Sequence, residues 1–139
     1  MMGDEQMREL LRSARTIAVV GMSDKPERDS HEVGKFLMSK GYRVVPVNPS
    51  VPEVLGARSY PSLREIPPDV HVDIVDVFRK SEAVPGVVEE ALSRTPLPKA
   101  VWLQLGVKDD PSRGKVEGKG IQYYQDLCIM VQHRRLFRP

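Results

Sequence analysis

Residues Thr16-Ile17-Ala18-Val19-Val20-Gly21 form an uninterrupted apolar run that is rich in β-branched side chains and ends at a glycine. A strand without apolar–polar alternation is typical of a parallel sheet, in which both faces of the strand are buried. Gly21 allows the backbone to turn sharply and to approach a ligand closely. This segment therefore predicts the first strand of an α/β domain, with a candidate binding loop directly after it.

The rest of the chain alternates apolar runs with helical patterns. Further strands are predicted at 42–47, 72–77, 100–105 and 121–124. Helices are predicted within 1–15 (a leading helix), from Asp29 to Gly41 and from Ser81 to Leu92. Strands and helices that alternate with short connections imply parallel strands and right-handed crossovers. The predicted fold class is a Rossmann-like, doubly wound α/β domain, a mostly parallel sheet of about five strands with helices on both faces.

Three segments give weaker patterns. Residues 109–119 occupy the place of a last helix, but they contain prolines and glycines that disfavour a helix interior. Residues 128–131 are a short apolar run that fits a strand end or a loop. Residues 134–139 form a basic tail, which we expect to be a solvated terminus.

The composition fits one soluble domain spanning 1–139. Lys and Arg number 21 and Asp and Glu number 19, a balance that argues against nucleic acid as a partner. No apolar run is long enough to span a membrane. Because Cys128 is the single cysteine and the N-terminus does not look like a secretory leader, we expect a cytoplasmic protein. The 12 prolines and the single asparagine fit a thermophilic protein and compositional drift about equally.

Ligands of doubly wound sheets bind at the carboxyl ends of the strands. The loop after the first strand carries Ser23, Lys25 and Arg28 beside a predicted helix N-terminus, a combination that attracts phosphate groups. A solvated, charged loop has the same pattern. Asn48 ends the second strand, where NAD-binding domains carry an acidic residue, and this argues against NAD. Asn48 also fits a simple turn residue that bonds its own backbone.

The sequence shows no converging catalytic set. The three histidines, His31, His71 and His133, have no metal-like spacing, and we expect His31 to lie at the surface. Neither a nucleophile elbow nor a zinc-protease motif is present. Cys128 fits a buried small hydrophobic residue, and it also fits a thiol that forms a mixed disulfide with a thiol-bearing cofactor. We therefore predict no catalytic residues and no metal site.

Five ordered blocks at the predicted strand ends resemble a known family. They read TIAVVGMSDKPER (16–28), GYRVVPVNP (41–49), VDVFR (75–79), VWLQLGV (101–107) and CIM (128–130). The blocks extend from about residue 15 to residue 133 and resemble the small stand-alone CoA-binding domain family. That family is similar to the N-terminal CoA-binding domain of the succinyl-CoA synthetase α subunit.

The resemblance implies coenzyme A, or an acyl-CoA, across the strand ends. It assigns Gly21, Met22, Ser23, Lys25 and Arg28 to the phosphate loop, Val47, Asn48 and Pro49 to the nucleotide wall, Val77, Phe78 and Arg79 to the adenosine or its phosphates, Gln104 and Gly106 to the pantetheine arm, and Cys128 to the family's cysteine near the chain end.

Two departures limit what the resemblance carries over. Residues 109–120 are rich in Ala and Glu in many relatives and carry proline and glycines here. The phosphohistidine-bearing domain of the synthetase has no counterpart in the resemblance, so binding is carried over and thioester synthesis is not. Two alternatives stay open. One is a small NAD(P)-dependent enzyme or an accessory subunit of an acyl-CoA ligase, and the other is a regulatory protein that binds a protein partner through its basic tail.

Overall fold

The computed structural model describes residues 2–138. The helices are α1 Met2–Ser13, α2 Asp29–Ser39, α3 Val84–Leu92, α4 Asp110–Glu117 and α5 Ile129–Leu136. The strands are β1 Thr16–Val20, β2 Arg43–Val47, β3 Glu53–Val54, β4 Ala57–Arg58, β5 Ile74–Val77, β6 Ala100–Leu103 and β7 Gln122–Tyr124. Short 3-10 turns lie at Leu63–Glu65 and Ser81–Ala83.

Five of these strands form one parallel sheet in the order β2-β1-β5-β6-β7. The other two, β3 and β4, pair with each other as a small antiparallel hairpin. The chain runs outward from β1 to β2 on one side and from β5 to β6 on the other, which places the topological switch point between β1 and β5. This arrangement confirms the predicted Rossmann-like fold. No helix within residues 2–138 is long and apolar enough to cross a bilayer.

Helices cover both faces of the sheet, as predicted. On one face, α3 and α4 bury Val87, Val88 and Val116 against the strands. On the other face, α1, α2 and α5 pack around Trp102, whose side chain is fully buried. The strands are apolar on both faces because each face is covered, which explains why the run at 16–20 lacks alternation.

The expectations for the last third of the chain were partly wrong. Residues 128–131 are not a strand end or loop, because Ile129 begins α5. The basic tail is not a solvated terminus from its first residue, because 134–136 form the last turn of α5, Leu136 is buried and Arg135 pairs with Asp4 at 2.8 Å. Pro139 lies outside the described residues.

Two serines near the starts of α2 and α3 bond neighbouring loops rather than the helix ends. Ser30 does not cap α2, and its hydroxyl accepts a hydrogen bond from the Ser23 amide at 3.0 Å instead. Ser81 lies in a 3-10 turn before α3 and accepts from the Lys108 amide at 3.0 Å. The weak segment at 109–119 does form a helix, because Asp109 caps it by accepting from the Ser112 amide.

Asp76 is a carboxyl group inside the core. It lies on β5 between Val19 and Trp102 of the neighbouring strands, and it is fully buried. Its two oxygens are the only buried side-chain nitrogen or oxygen atoms within residues 2–138 that lack a hydrogen-bond partner. Burial raises the pKa of Asp76 well above its usual value. The residue therefore costs stability wherever it is ionised.

Replacing Asp76 with valine is expected to stabilise the fold. The raised folded-state pKa means that the free energy of unfolding falls as the pH rises from the unfolded pKa of about 3.9 toward the folded value. Asp76→Val removes this loss and the unpaired oxygens, so we expect a gain of about 1–3 kcal/mol at pH 7. Urea unfolding at pH 4 and pH 7 measures the gain, which should be larger at pH 7.

Asp73, the residue immediately before β5, supplies the matched control. One of its carboxylate oxygens accepts hydrogen bonds from the amides of Arg15 at 2.8 Å and Thr16 at 3.0 Å. Asp73→Val should therefore destabilise the protein, since it leaves two amides without a partner. Destabilisation by Asp76→Val as well would show that the buried carboxyl has a stabilising partner.

Candidate functional site

Two clefts adjoin at the carboxyl ends of the parallel strands, on either side of Phe78. We call the first the polar cleft. It has a volume of about 450 Å³ and lies over the ends of β1, β2 and β5 at the switch point. Its walls are Gly21, Ser23, Asp24, Lys25, Arg28, Asp29, Ser30, Asn48, Ser50, Val51 and Phe78.

The loop between β1 and α2 is fixed by hydrogen bonds to its own polar side chains. The Ser23 hydroxyl accepts from the Lys25 amide at 3.0 Å, and the Ser23 amide donates to Ser30. His31 is buried, and its Nδ1 lies 3.0 Å from the Ser23 carbonyl oxygen. The expectation of a surface His31 was therefore wrong, and the ring is a support for this loop.

The charged side chains of the polar cleft are two cations and two carboxylates, so they carry no net positive charge. Lys25 and Arg28 are exposed and line the cleft, but Asp24 and Asp29 line it as well. The additional positive character comes from the N-terminus of α2, where no side chain caps the first turn. The unpaired amides there and the helix dipole favour an anion between the two cations.

Asn48 ties three loops together beneath the polar cleft. Its Nδ2 donates to the Met22 carbonyl at 2.9 Å, and its Oδ1 accepts from the Ser50 amide at 2.9 Å. Its backbone amide donates to the Tyr60 carbonyl at 2.9 Å. The turn-residue interpretation of Asn48 is confirmed by the Ser50 contact, while the residue also lines the cleft.

The backbone conformation and packing at position 21 require a glycine, independently of any ligand. Its φ is +89°, and a Cβ at this position would overlap the carbonyl oxygen of Phe78. Its amide donates to the Val47 carbonyl at 2.7 Å. The ends of β1, β2 and β5 therefore lie close together around Gly21. They form the floor of the polar cleft at this point.

The second cleft, which we call the apolar cleft, lies between α2 and α5. It has a volume of about 460 Å³ and shares Asp29 and Phe78 with the polar cleft. Leu105 and Val131, two residues of its wall, are 66% and 49% exposed and leave apolar surface open to solvent. Its walls are Asp29, Glu32, Val33, Phe78, Arg79, Lys80, Gln104, Leu105, Val107, Cys128, Met130 and Val131.

Gln104 and Cys128 meet at the inner end of the apolar cleft. The Gln104 side chain is buried, and its Oε1 accepts a hydrogen bond from the Ile129 amide at 3.0 Å, the first amide of α5. Cys128 precedes α5 and is 9% exposed as a free thiol. The polar residue in an apolar strand end thus holds the start of α5, and with it the thiol, against β6.

The structure brings together nine of the predicted site residues and separates the others. Met22, Val47 and Val77 are buried in the core, so they shape the clefts from beneath. Pro49 and Gly106 are exposed outside both linings. Those in the walls of one or both clefts are Gly21, Ser23, Lys25, Arg28, Asn48, Phe78, Arg79, Gln104 and Cys128.

The sequence reasoning missed the second wall of the apolar cleft. Val33, Met130 and Val131 belong to α2 and α5 rather than to strand ends. A helical signal was available, because Ile129, His133 and Leu136 recur at i, i+4 and i+7. Recognising α5 would have placed these side chains opposite α2.

This chain is similar in sequence and structure to known CoA-binding domains and their relatives. The family model described as a CoA binding domain matches residues 15–134. Over 128 residues, 92% of each chain, the protein is 44% identical to the uncharacterized protein YneT of Bacillus subtilis. Over 67 residues, 48% of this chain and 15% of the relative, it is 42% identical to the acetate–CoA ligase [ADP-forming] II subunit alpha of Pyrococcus furiosus.

Solved structures superpose closely on this chain. A hypothetical protein from Pyrococcus horikoshii OT3 has a TM-score of 0.89 and 39% identity, with coverage of 96% of this chain and 91% of that one. A Thermus thermophilus protein, cell-free ID.343, also has a TM-score of 0.89, with 38% identity and coverage of 96% and 98%. The fold, the matched residues and the similarity over nearly the whole chain lead to one conclusion: this protein belongs to the CoA-binding domain family.

Proposed function

We propose that the chain binds coenzyme A, or an acyl-CoA, across the polar and apolar clefts, and that it does so without catalysis of its own. The observation that carries this proposal is the junction of the two clefts at Phe78 and Asp29. Coenzyme A joins a phosphate-rich nucleotide to a long pantetheine arm that ends in a thiol. One polar and one apolar cleft in a continuous path match the two halves of that molecule.

The diphosphate would lie in the polar cleft. Lys25 and Arg28 supply two exposed cations beside the uncapped N-terminus of α2. Arg79, at the end of β5, borders the junction toward the apolar cleft. Backbone amides at a helix N-terminus and Lys or Arg side chains around one cavity commonly bind phosphate groups.

The pantetheine arm would run past Phe78 into the apolar cleft. Val33 and Met130 provide apolar contacts on either side, and Gln104 and Cys128 lie at the inner end. In this orientation the thiol of the ligand approaches the thiol of Cys128. The ligand would then cover apolar surface of Leu105 and Val131.

The residues that line the two clefts favour a binding module over an NAD(P)-dependent enzyme or a ligase subunit. Three polar side chains of the walls, Ser23, Asn48 and Gln104, already form hydrogen bonds with backbone groups of the protein. The matched acetate–CoA ligase subunit is far longer than this chain, which covers 15% of it. We therefore propose a CoA carrier or sensor, acting in the cytoplasm, whose partner is CoA rather than nucleic acid or membrane.

Calorimetric titration with CoA tests the proposal. The reduced protein should bind CoA with a Kd on the order of 1–10 µM. NAD at the same salt concentration is the control and should show no binding, because Asn48 replaces the acidic residue that a ribose clamp requires. Binding of NAD in preference to CoA would contradict the proposal.

Removing the cations of the polar cleft should weaken CoA binding. In Lys25→Ala/Arg28→Ala, each lost charge-assisted contact is expected to cost about 1.5–3 kcal/mol, so affinity should fall by at least tenfold. Lys115→Ala/Lys119→Ala removes two exposed cations from the α4 side and should leave the affinity unchanged. An equal loss in both variants would mean that only the overall charge matters.

Thiol–disulfide exchange should report the direction of the pantetheine arm. With CoA disulfide, the Cys128 thiolate would attack one sulfur, form a Cys128–CoA mixed disulfide and release one CoA thiolate. Intact-protein mass spectrometry should then show one added CoA moiety, and Cys128→Ser should show none. A wild-type protein that stays unmodified while it binds CoA would place the thiol end of the ligand elsewhere.

A further inference from the structure

A third cleft lies at the opposite end of the sheet from the polar and apolar clefts. It opens where α1 leads into β1 and where α2 leads into β2, and its volume is about 560 Å³. Three cations, Arg12, Arg15 and Lys40, face it together with the rings of Tyr42, His133 and Phe137. We call it the basic cleft.

The charge of the basic cleft is only partly compensated. No Asp or Glu lines it. Arg12 is paired with Glu9 at 2.6 Å, but Arg15 and Lys40 have no carboxylate within 4.0 Å among the described residues. Both side chains are exposed. Two cations without a carboxylate partner therefore border a concave surface that no Asp or Glu lines, and one of them, Lys40, lies over the Phe36 ring at 5.4 Å from its centroid.

Cations near helix C-termini are often explained by the partial negative charge of the terminal carbonyls. Here several of those carbonyls have other partners. At the end of α1, the Tyr42 hydroxyl donates to the Leu11 carbonyl. At the end of α2, the amides of Lys40, Gly41 and Tyr42 donate to carbonyls of the last helical turn at 3.1–3.2 Å. Among residues 2–138, neither the Arg15 nor the Lys40 side chain makes a hydrogen bond.

The aromatic wall of the basic cleft is a cluster of rings in mutual contact. The His133 ring centroid lies 5.4 Å from Phe36, 5.9 Å from Tyr42 and 4.6 Å from Phe137. Burial, together with the charge of Lys40, lowers the pKa of His133 below its usual value, so the ring is neutral at neutral pH. The neutral His133 ring, edge-on to Phe36 and Tyr42, and the partly exposed Phe137 ring give the cleft an apolar side near Arg15 and Lys40.

We propose that the basic cleft is a second ligand site, which takes a small phosphorylated compound that carries an aromatic ring. Arg15 and Lys40 hold the phosphate, and the ring lies against His133 and Phe137. The volume of the cleft is in the range of small-molecule sites. Because it lies at the amino ends of the strands, the basic cleft can be filled while CoA occupies the other end of the sheet.

Histidine NMR tests this site directly, because the three histidines lie in three different places. His133 lines the basic cleft, His31 supports the loop of the polar cleft, and His71 lies beside Asp73 at 3.8 Å. Titration of the protein with 1-naphthyl phosphate should move the His133 ring resonances in a saturable way and leave those of His31 and His71 in place. The titration is run with and without CoA, and the result should be the same.

Two comparisons make the test specific. Arg15→Ala/Lys40→Ala should weaken naphthyl phosphate binding by about tenfold or more, as expected for lost charge-assisted contacts. Lys115→Ala/Lys119→Ala removes two exposed cations elsewhere and should have no effect. Pyrophosphate, which lacks a ring, should bind more weakly than naphthyl phosphate.

Three results would overturn the proposal. The first is the absence of a saturable His133 shift at millimolar naphthyl phosphate. The second is a shift of His31 in place of His133, which would assign the compound to the polar cleft. The third is equal affinity for pyrophosphate and naphthyl phosphate, which would remove the aromatic ring from the description of the ligand.

Discussion

The close approach of β1 to β5 at Gly21 is the constraint on which the binding end of this protein depends. Only a residue without a side chain can lie against the Phe78 carbonyl with a φ of +89°. The loop from β1 to α2 therefore begins at the switch point between β1 and β5. Consequently the N-terminus of α2 and the two cations of its loop lie over the strand ends. The parallel sheet places its strand ends at one edge, and Gly21 allows the loop after β1 to turn over that edge.

Polar side chains then hold the neighbouring elements in place. Asn48 fixes the loop after β1 to the loop after β2, and His31 supports the first of these loops from below. Gln104 performs the equivalent task between β6 and α5. These three residues were candidates for ligand contact or for the surface, yet their strongest contacts are to protein backbone. Their function is to build the walls of two clefts that meet at Phe78.

The sequence predicts the sheet well and the walls of the site less well, for physical reasons. Strands such as 16–20 are buried on both faces, so a continuous apolar run is sufficient to identify them. The start of α5 was missed because residues 128–131 read as one short apolar run, and only the later spacing of His133 and Leu136 reveals the helix. The partners of His31 and Gln104 are carbonyl and amide groups that become neighbours only on folding.

Amide hydrogen exchange with and without CoA tests most directly whether one ligand spans both clefts. The account predicts slower exchange in two separate segments at once, the loop and first turn of α2 at 22–31 and the start of α5 at 128–132. Exchange in β7 and α4, at the far edge of the sheet, should stay the same. Protection of only one of the two segments, or protection confined to the far edge, would contradict the continuous site.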